Sequence, residues 1–80
     1  MYIIQMKIYV KTMDNKYEFT INENHTITEF KQQIYEYLEI DPSQQRLIYK
    51  GSPMIHEKTF KDLHVEENTT IHLLLNIIFL

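Results

Sequence analysis

Two groups of side chains have the types that hold metal ions: His56-Glu57, and His64 with Glu66-Glu67. A structural zinc site needs four convergent ligands and most use thiolates. The chain has no cysteine, which also removes thiol nucleophiles and a disulfide framework. These histidines and glutamates therefore read as solvated surface, and no metal or cofactor is expected. Ser43 and Ser52 fall in loop sequence, and neither has the glycine-flanked elbow that exposes a serine nucleophile. Gly51 is the single glycine, too little for a loop that cradles phosphate. No catalytic set emerges, and the expectation is a protein that is not an enzyme.

The chain that must position these residues is short. A domain of 80 residues buries only roughly 60–65% of its unfolded surface, so a second core cannot fit. The net charge of −3 argues against nucleic acid, which wants a basic face against its phosphates. No stretch approaches the ~20 apolar residues that span a bilayer. Met1–Gln5 lacks the basic start and long apolar run of a secretory signal. The lack of cysteine is compatible with a reducing compartment, and a cytoplasmic or nuclear protein is expected. One glycine and two prolines, Pro42 and Pro53, leave no room for a flexible linker.

Periodicity then assigns the elements. Met6–Lys11 alternates, with Ile8 and Val10 against Lys7, Tyr9 and Lys11, and Tyr17, Phe19 and Ile21 alternate again. Asp14-Asn15 between them is turn chemistry, so the two runs predict a hairpin. Thr26-Ile27-Thr28-Glu29 fits a capping box, in which threonine and glutamate satisfy each other's amides at a helix start. Ile27, Phe30, Ile34 and Leu38 follow at helical spacing as one apolar stripe for the core. Asp41-Pro42 ends that region, because the residue before proline leaves the helical well. Gln45–Lys50 reads as a strand stopped by Gly51-Ser52-Pro53. Thr59–Val65 reads as a compact turn with Phe60, Leu63 and Val65 inward. Thr69–Leu75 is a last strand, with Ile71, Leu73 and Leu75 against His72 and Leu74. This order implies an α+β domain with one helix on one face of the sheet, and it leaves the strand order open.

Several of these segments carry more than a pattern. Met6-Lys7-Ile8-Tyr9-Val10-Lys11-Thr12 resembles the opening strand of ubiquitin. Asp41-Pro42-Ser43-Gln44-Gln45-Arg46-Leu47-Ile48-Tyr49-Lys50-Gly51 resembles its central strand and the loop before it. Thr59-Phe60-Lys61-Asp62-Leu63 and Thr69-Thr70-Ile71-His72-Leu73-Leu74-Leu75 resemble its later turn and last strand. The resemblance runs from Met6 to Ile77 and implies a ubiquitin-like β-grasp fold, a mixed sheet packed on one helix. It also implies that the first and last strands lie side by side and parallel at the sheet centre. Met1–Gln5 is then an N-terminal extension and residues 78–80 an apolar tail.

The resemblance further implies a protein-binding surface on the outer sheet face, made by Met13, Ile48, His72 and Leu74. Gly51 allows close approach beside it, and Arg46 stands ready to pair with a partner carboxylate. Period-2 alternation agrees that Ile48 and Leu74 point outward. A second family patch falls on Ile40, Leu75 and Ile77. The implied partners are ubiquitin-binding domains or receptors. The chain departs from the family in three respects. Asn76-Ile77-Ile78-Phe79-Leu80 replaces the family's basic, glycine-ended tail, so conjugation is not expected, the alternative being a conjugatable modifier whose true C-terminus lies beyond Leu80. Chain-building lysines are mostly absent, with Ser52 and Glu67 at two such positions, while Lys11 and Lys31 match family lysines but read as solvated. Glu39 stands where the family closes its helix with glycine. Eight of the ten residues Ile71–Leu80 are apolar, which points to self-association through the apolar ends as a rival role.

Overall fold

The computed structural model describes residues 4–75. β1 (Gln5–Lys11) and β2 (Lys16–Asn22) form an antiparallel hairpin from Gln5↔Asn22 to Lys11↔Lys16. The strand begins at Gln5, one residue before the alternation is legible, and the Ile4 carbonyl still accepts from Glu23 N–H at 3.1 Å. At the turn, Thr12 and Asn15 hold each other, Thr12 N–H to the Asn15 carbonyl at 2.8 Å and Asn15 N–H to Thr12 Oγ1 at 3.0 Å.

The helix α1 (Ile27–Leu38) starts on the expected box. Glu29 N–H donates to Thr26 Oγ1 at 3.2 Å and Thr26 N–H donates to Glu29 Oε1 at 3.0 Å. Its stripe Ile27, Phe30 and Ile34 is buried, with Leu38 packed at the core's margin. Lys31 lies on that stripe too and is only 8% exposed, which corrects its reading as a solvated lysine. The helix closes at Glu39, which takes the left-handed conformation (φ 58°, ψ 30°) and donates its N–H to the Tyr35 carbonyl. A 3-10 turn, Pro42–Gln44, capped by Asp41, leads into β3 (Gln45–Tyr49).

Gly51-Ser52-Pro53 does not simply stop β3. Lys50 (φ 51°) and Gly51 (φ 81°) form a two-residue turn, and Ser52–Pro53 returns as β4. Positive φ at both central residues is the twist that a tight hairpin needs. A Cβ at Gly51 would meet nothing within 4 Å, so glycine is there for its backbone and not for space. The turn Thr59–Val65 is held by a second reciprocal pair, Thr59 N–H to Asp62 Oδ2 at 3.1 Å and Asp62 N–H to Thr59 Oγ1 at 3.0 Å. It buries Phe60 and Val65, with Leu63 at the margin. β5 (Thr70–Leu75) completes the sheet.

The sheet order is β2-β1-β5-β3-β4, with β1 and β5 parallel at its centre and every other pair antiparallel. The helix covers one face. Ile8, Val10, Ile71 and Leu73 from the central pair share one core with Ile27, Phe30, Ile34 and Phe60, all at 2% exposure or less. Each such side chain contributes roughly 1.5–3 kcal/mol by leaving water. Leu75 does not join them. The alternation predicts it inward, yet it is 53% exposed. β1 already ends at Lys11, opposite His72, and Leu75 pairs with Gln45 at the very start of β3. The strand therefore outruns the layer that would have covered it.

Candidate functional site

The outer face is assembled by strand register. Ile48 pairs directly with His72, and Arg46 with Leu74. Directly opposed residues in an antiparallel pair share a face, with Cβ atoms about 5 Å apart. Two residues from each of β3 and β5 thus form one compact quartet. Lys11 pairs with His72 from the other side, and the β1–β2 turn that follows carries Met13, which is 93% exposed. Leu74 is 53% exposed, and His72, Arg46 and Gly51 are exposed. Ile48 points outward but is half-buried, since strands flank it on both sides, at His72 and at Pro53.

The face is basic around this apolar centre. The strands send Lys7, Lys11, Lys16 and Arg46 outward against one carboxylate, Glu18, which meets Lys7 at 4.0 Å. Tyr9 lies on the same face with the Lys16 ammonium 4.8 Å above its ring. A chain of net charge −3 thus keeps its acids, Glu18 apart, on the helix and loops and shows a cationic sheet.

The second patch abuts the first. Half-buried Ile40 and exposed Leu75 line a groove of about 840 Å³ that Met13, Tyr17, His72 and Leu74 also line. Ile77 lies outside the described residues.

Two of the residues considered for chemistry, His56 and Ser43, are engaged elsewhere. His56 Nε2 is 2.7 Å from Lys31 Nζ. Ser43 Oγ donates to Asp41 Oδ1 at 2.7 Å. Among the described residues no three histidines or carboxylates converge. The His56–Lys31 contact escapes a residue-by-residue reading, although position 31 falls four after Ile27 and three before Ile34, on the buried stripe.

A mixed five-strand sheet on one helix, its other face left open, defines a β-grasp domain. The chain belongs to the ubiquitin family, whose model matches residues 8–77. It is 39% identical over 71 residues to "Ubiquitin-like protein 1" of Schizosaccharomyces pombe, covering 88% of this chain and 91% of that protein. It is 38% identical over 69 residues to "Large proline-rich protein bag6" of Xenopus tropicalis, covering 85% of this chain and 6% of that one. It is 27% identical over 70 residues to "Ubiquitin domain-containing protein DSK2" of Saccharomyces cerevisiae, covering 88% and 19%. It thus spans nearly the whole of one relative and a small part of two larger ones.

Proposed function

We propose that this chain is a non-enzymatic interaction module that engages ubiquitin-binding domains through Met13, Ile48, His72 and Leu74. Arg46 and Gly51 border the contact. The observation that carries the reading is the cross-strand pairing of Ile48 with His72 and Arg46 with Leu74, which gathers the apolar centre and its cation. The surrounding lysines favour a receptor whose apolar helix is flanked by carboxylates. A contact this small gives affinity on the order of micromolar to sub-millimolar. Chemical-shift mapping against a panel of ubiquitin-binding domains tests it. Perturbation centred on the quartet and Met13 is expected, weakened by Ile48→Ala in a still-folded domain. No perturbation there with any receptor sinks the reading.

The same reading holds that the segment Ile77-Ile78-Phe79 does not itself serve as a conjugated tail. Ile77, Ile78 and Phe79 are branched or bulky where a conjugated tail must thread a narrow channel. A thioester assay with a ubiquitin-activating enzyme is expected to give no charged product.

Self-association is a second reading, favoured by the exposure of Leu74 and Leu75 above the groove. Sedimentation of the full chain against one ending at Leu75 separates the two, since only a self-associating chain changes its mass with concentration and loses that change on truncation.

A further inference from the structure

Lys31 is the one charged side chain buried among the described residues, 8% exposed. Its ammonium donates to the Gln45 carbonyl at 2.8 Å and lies 2.7 Å from His56 Nε2. An ammonium has protons to give and no lone pair. Nε2 must therefore be the acceptor, which makes His56 a neutral imidazole with its proton on Nδ1.

No carboxylate shares this duty. The single ion pair among the described residues is Lys7–Glu18, on the outer sheet face. From α1, Lys31 and Thr28 face the imidazole's segment, with Thr28 N–H and Oγ1 both donating to the His56 carbonyl at 3.2 and 3.1 Å. From the 3-10 turn, Pro42 and Ser43 line the same cleft. The nearby Asp41 carboxylate is occupied by Ser43 N–H and Oγ at 2.9 and 2.7 Å. Glu57 and Lys58 flank His56 in the chain, and neither is paired with it. Burial alone pulls the Lys31 ammonium below the ordinary lysine value, with no counter-charge to restore it.

We propose that His56 and Lys31 form a proton-gated clamp: the neutral His56 ring ties its own segment to Lys31 of α1, and a proton on Nε2 breaks that tie. That proton removes the acceptor and sets two cations 2.7 Å apart, the lysine buried and the imidazole exposed, where like charges repel. Histidine is the side chain whose ordinary charge change falls between about pH 5 and 8. The clamp reaches the docking corner by one residue. Gln45 Nε2 donates to the Lys31 and Ile40 carbonyls at 2.9 and 2.8 Å, and Gln45 pairs with Leu75. Acid therefore reaches that corner only through Lys31, whose ammonium donates to the Gln45 carbonyl and is pushed by the charged ring. The clamp does not depend on receptor binding and stands or falls separately from it.

Denaturant unfolding of the 80-residue chain near pH 7.5 and near pH 5.5 tests it, using wild type, His56→Gln and His56→Asp. Glutamine keeps an acceptor that does not titrate, and aspartate supplies the missing counter-charge. The folding constant of wild type is expected to fall severalfold more than that of either variant between the two pH values. His25, His64 and His72 are common to all three chains, so the difference isolates His56. Long-range nitrogen–proton spectra of the wild-type ring are expected to show Nε2 bare near pH 7.5 and protonated in acid. Equal acid losses in wild type and His56→Gln, or a proton on Nε2 near pH 7.5, overturn the clamp. If neither variant folds, the ring spectra of wild type still decide.

Discussion

Leu73 and Leu74 are neighbours in β5, of the same type, and they lie in opposite worlds. Leu73 is 2% exposed and Leu74 is 53% exposed. The alternation of side chains across a strand puts one in the core with Ile8 and Ile34 and the other beside Arg46 and Ile48. The same contrast runs through β3, where Leu47 and Tyr49 are buried while Arg46 faces solvent and Ile48 is half-buried. In the proposed function, stability and recognition are carried by alternate residues of the same two strands. Inner-face residues can be read from the energetics of folding alone. Ile48 and Leu74 on the outer face are apolar without a folding reason, and that is what makes the face a candidate site.

The largest test of this contrast sets the two leucines against each other. Leu73→Ala removes a core side chain and leaves a cavity, at a cost of about 2–5 kcal/mol, a large part of the stability of so small a domain. Leu74→Ala is expected to change stability by less than about 0.5 kcal/mol while weakening receptor binding. Denaturant unfolding of both variants, followed by titration with one receptor, checks it. Comparable destabilisation by both would break the division of labour.

Most of the fold is legible in the amino-acid sequence because its signals are local. Ile8, Val10, Phe19 and Ile21 alternate, Ile27, Phe30 and Ile34 keep helical spacing, and Thr26 with Glu29 marks the helix start. The strand order is not local, and only resemblance supplies it. The features that sequence does not reveal depend on where elements stop relative to one another. Leu75 obeys the alternation and is still exposed, because β1 ended earlier. Ser52–Pro53 is a strand because Lys50 takes a left-handed conformation that its side chain does not advertise. Lys31 is buried where its ammonium meets the Gln45 carbonyl and His56 Nε2, 14 and 25 residues away. The patch positions Met13, Ile48, His72 and Leu74 are apolar or ambivalent types that no periodicity singles out. Alternation gives only their face, and the resemblance gives their role.

Caps should move stability without touching the outer face. Thr26→Ala removes one half of the box at the start of α1 and is expected to cost about 1 kcal/mol. Receptor affinity at the quartet should not change, since Thr26 lies outside it. A loss of affinity in the folded variant would show that helix and docking face are coupled.

A smaller shift, of opposite sign, is expected at the other end of the same helix. Glu39 holds a left-handed backbone at φ 58°, which a side chain with a Cβ resists and glycine does not. Glycine's greater freedom in the unfolded chain offsets part of the relief. Glu39→Gly is therefore expected to stabilise by about 0.5 kcal/mol, seen as a higher denaturant midpoint with an unchanged slope.

The smallest effect is in acid, and it separates the two faces by charge. Three exposed carboxylates are held below their ordinary values by hydrogen bonds to their charged forms. Glu29 is lowered chiefly by the Thr26 backbone N–H and then by the Thr26 hydroxyl. Asp62 is lowered chiefly by the Thr59 backbone N–H and then by its hydroxyl. Asp41 is lowered chiefly by the Ser43 hydroxyl and then by its backbone N–H. In each case the folded state binds its proton less readily than the unfolded chain does, whose ordinary values are 4.5 for Glu and 3.8 for Asp. The stability they contribute is therefore complete above those values and is lost as pH falls through the lowered ones. The strands of the outer face add only Glu18 to the carboxylates, so the acid limb belongs to the caps. Glu29→Gln keeps the acceptor and cannot titrate, and thermal unfolding between about pH 5 and 2 should then fall less steeply than in wild type. An unchanged acid limb would mean that the box at Thr26 carries no charge-dependent stability, and that the slope arises at Asp41 and Asp62.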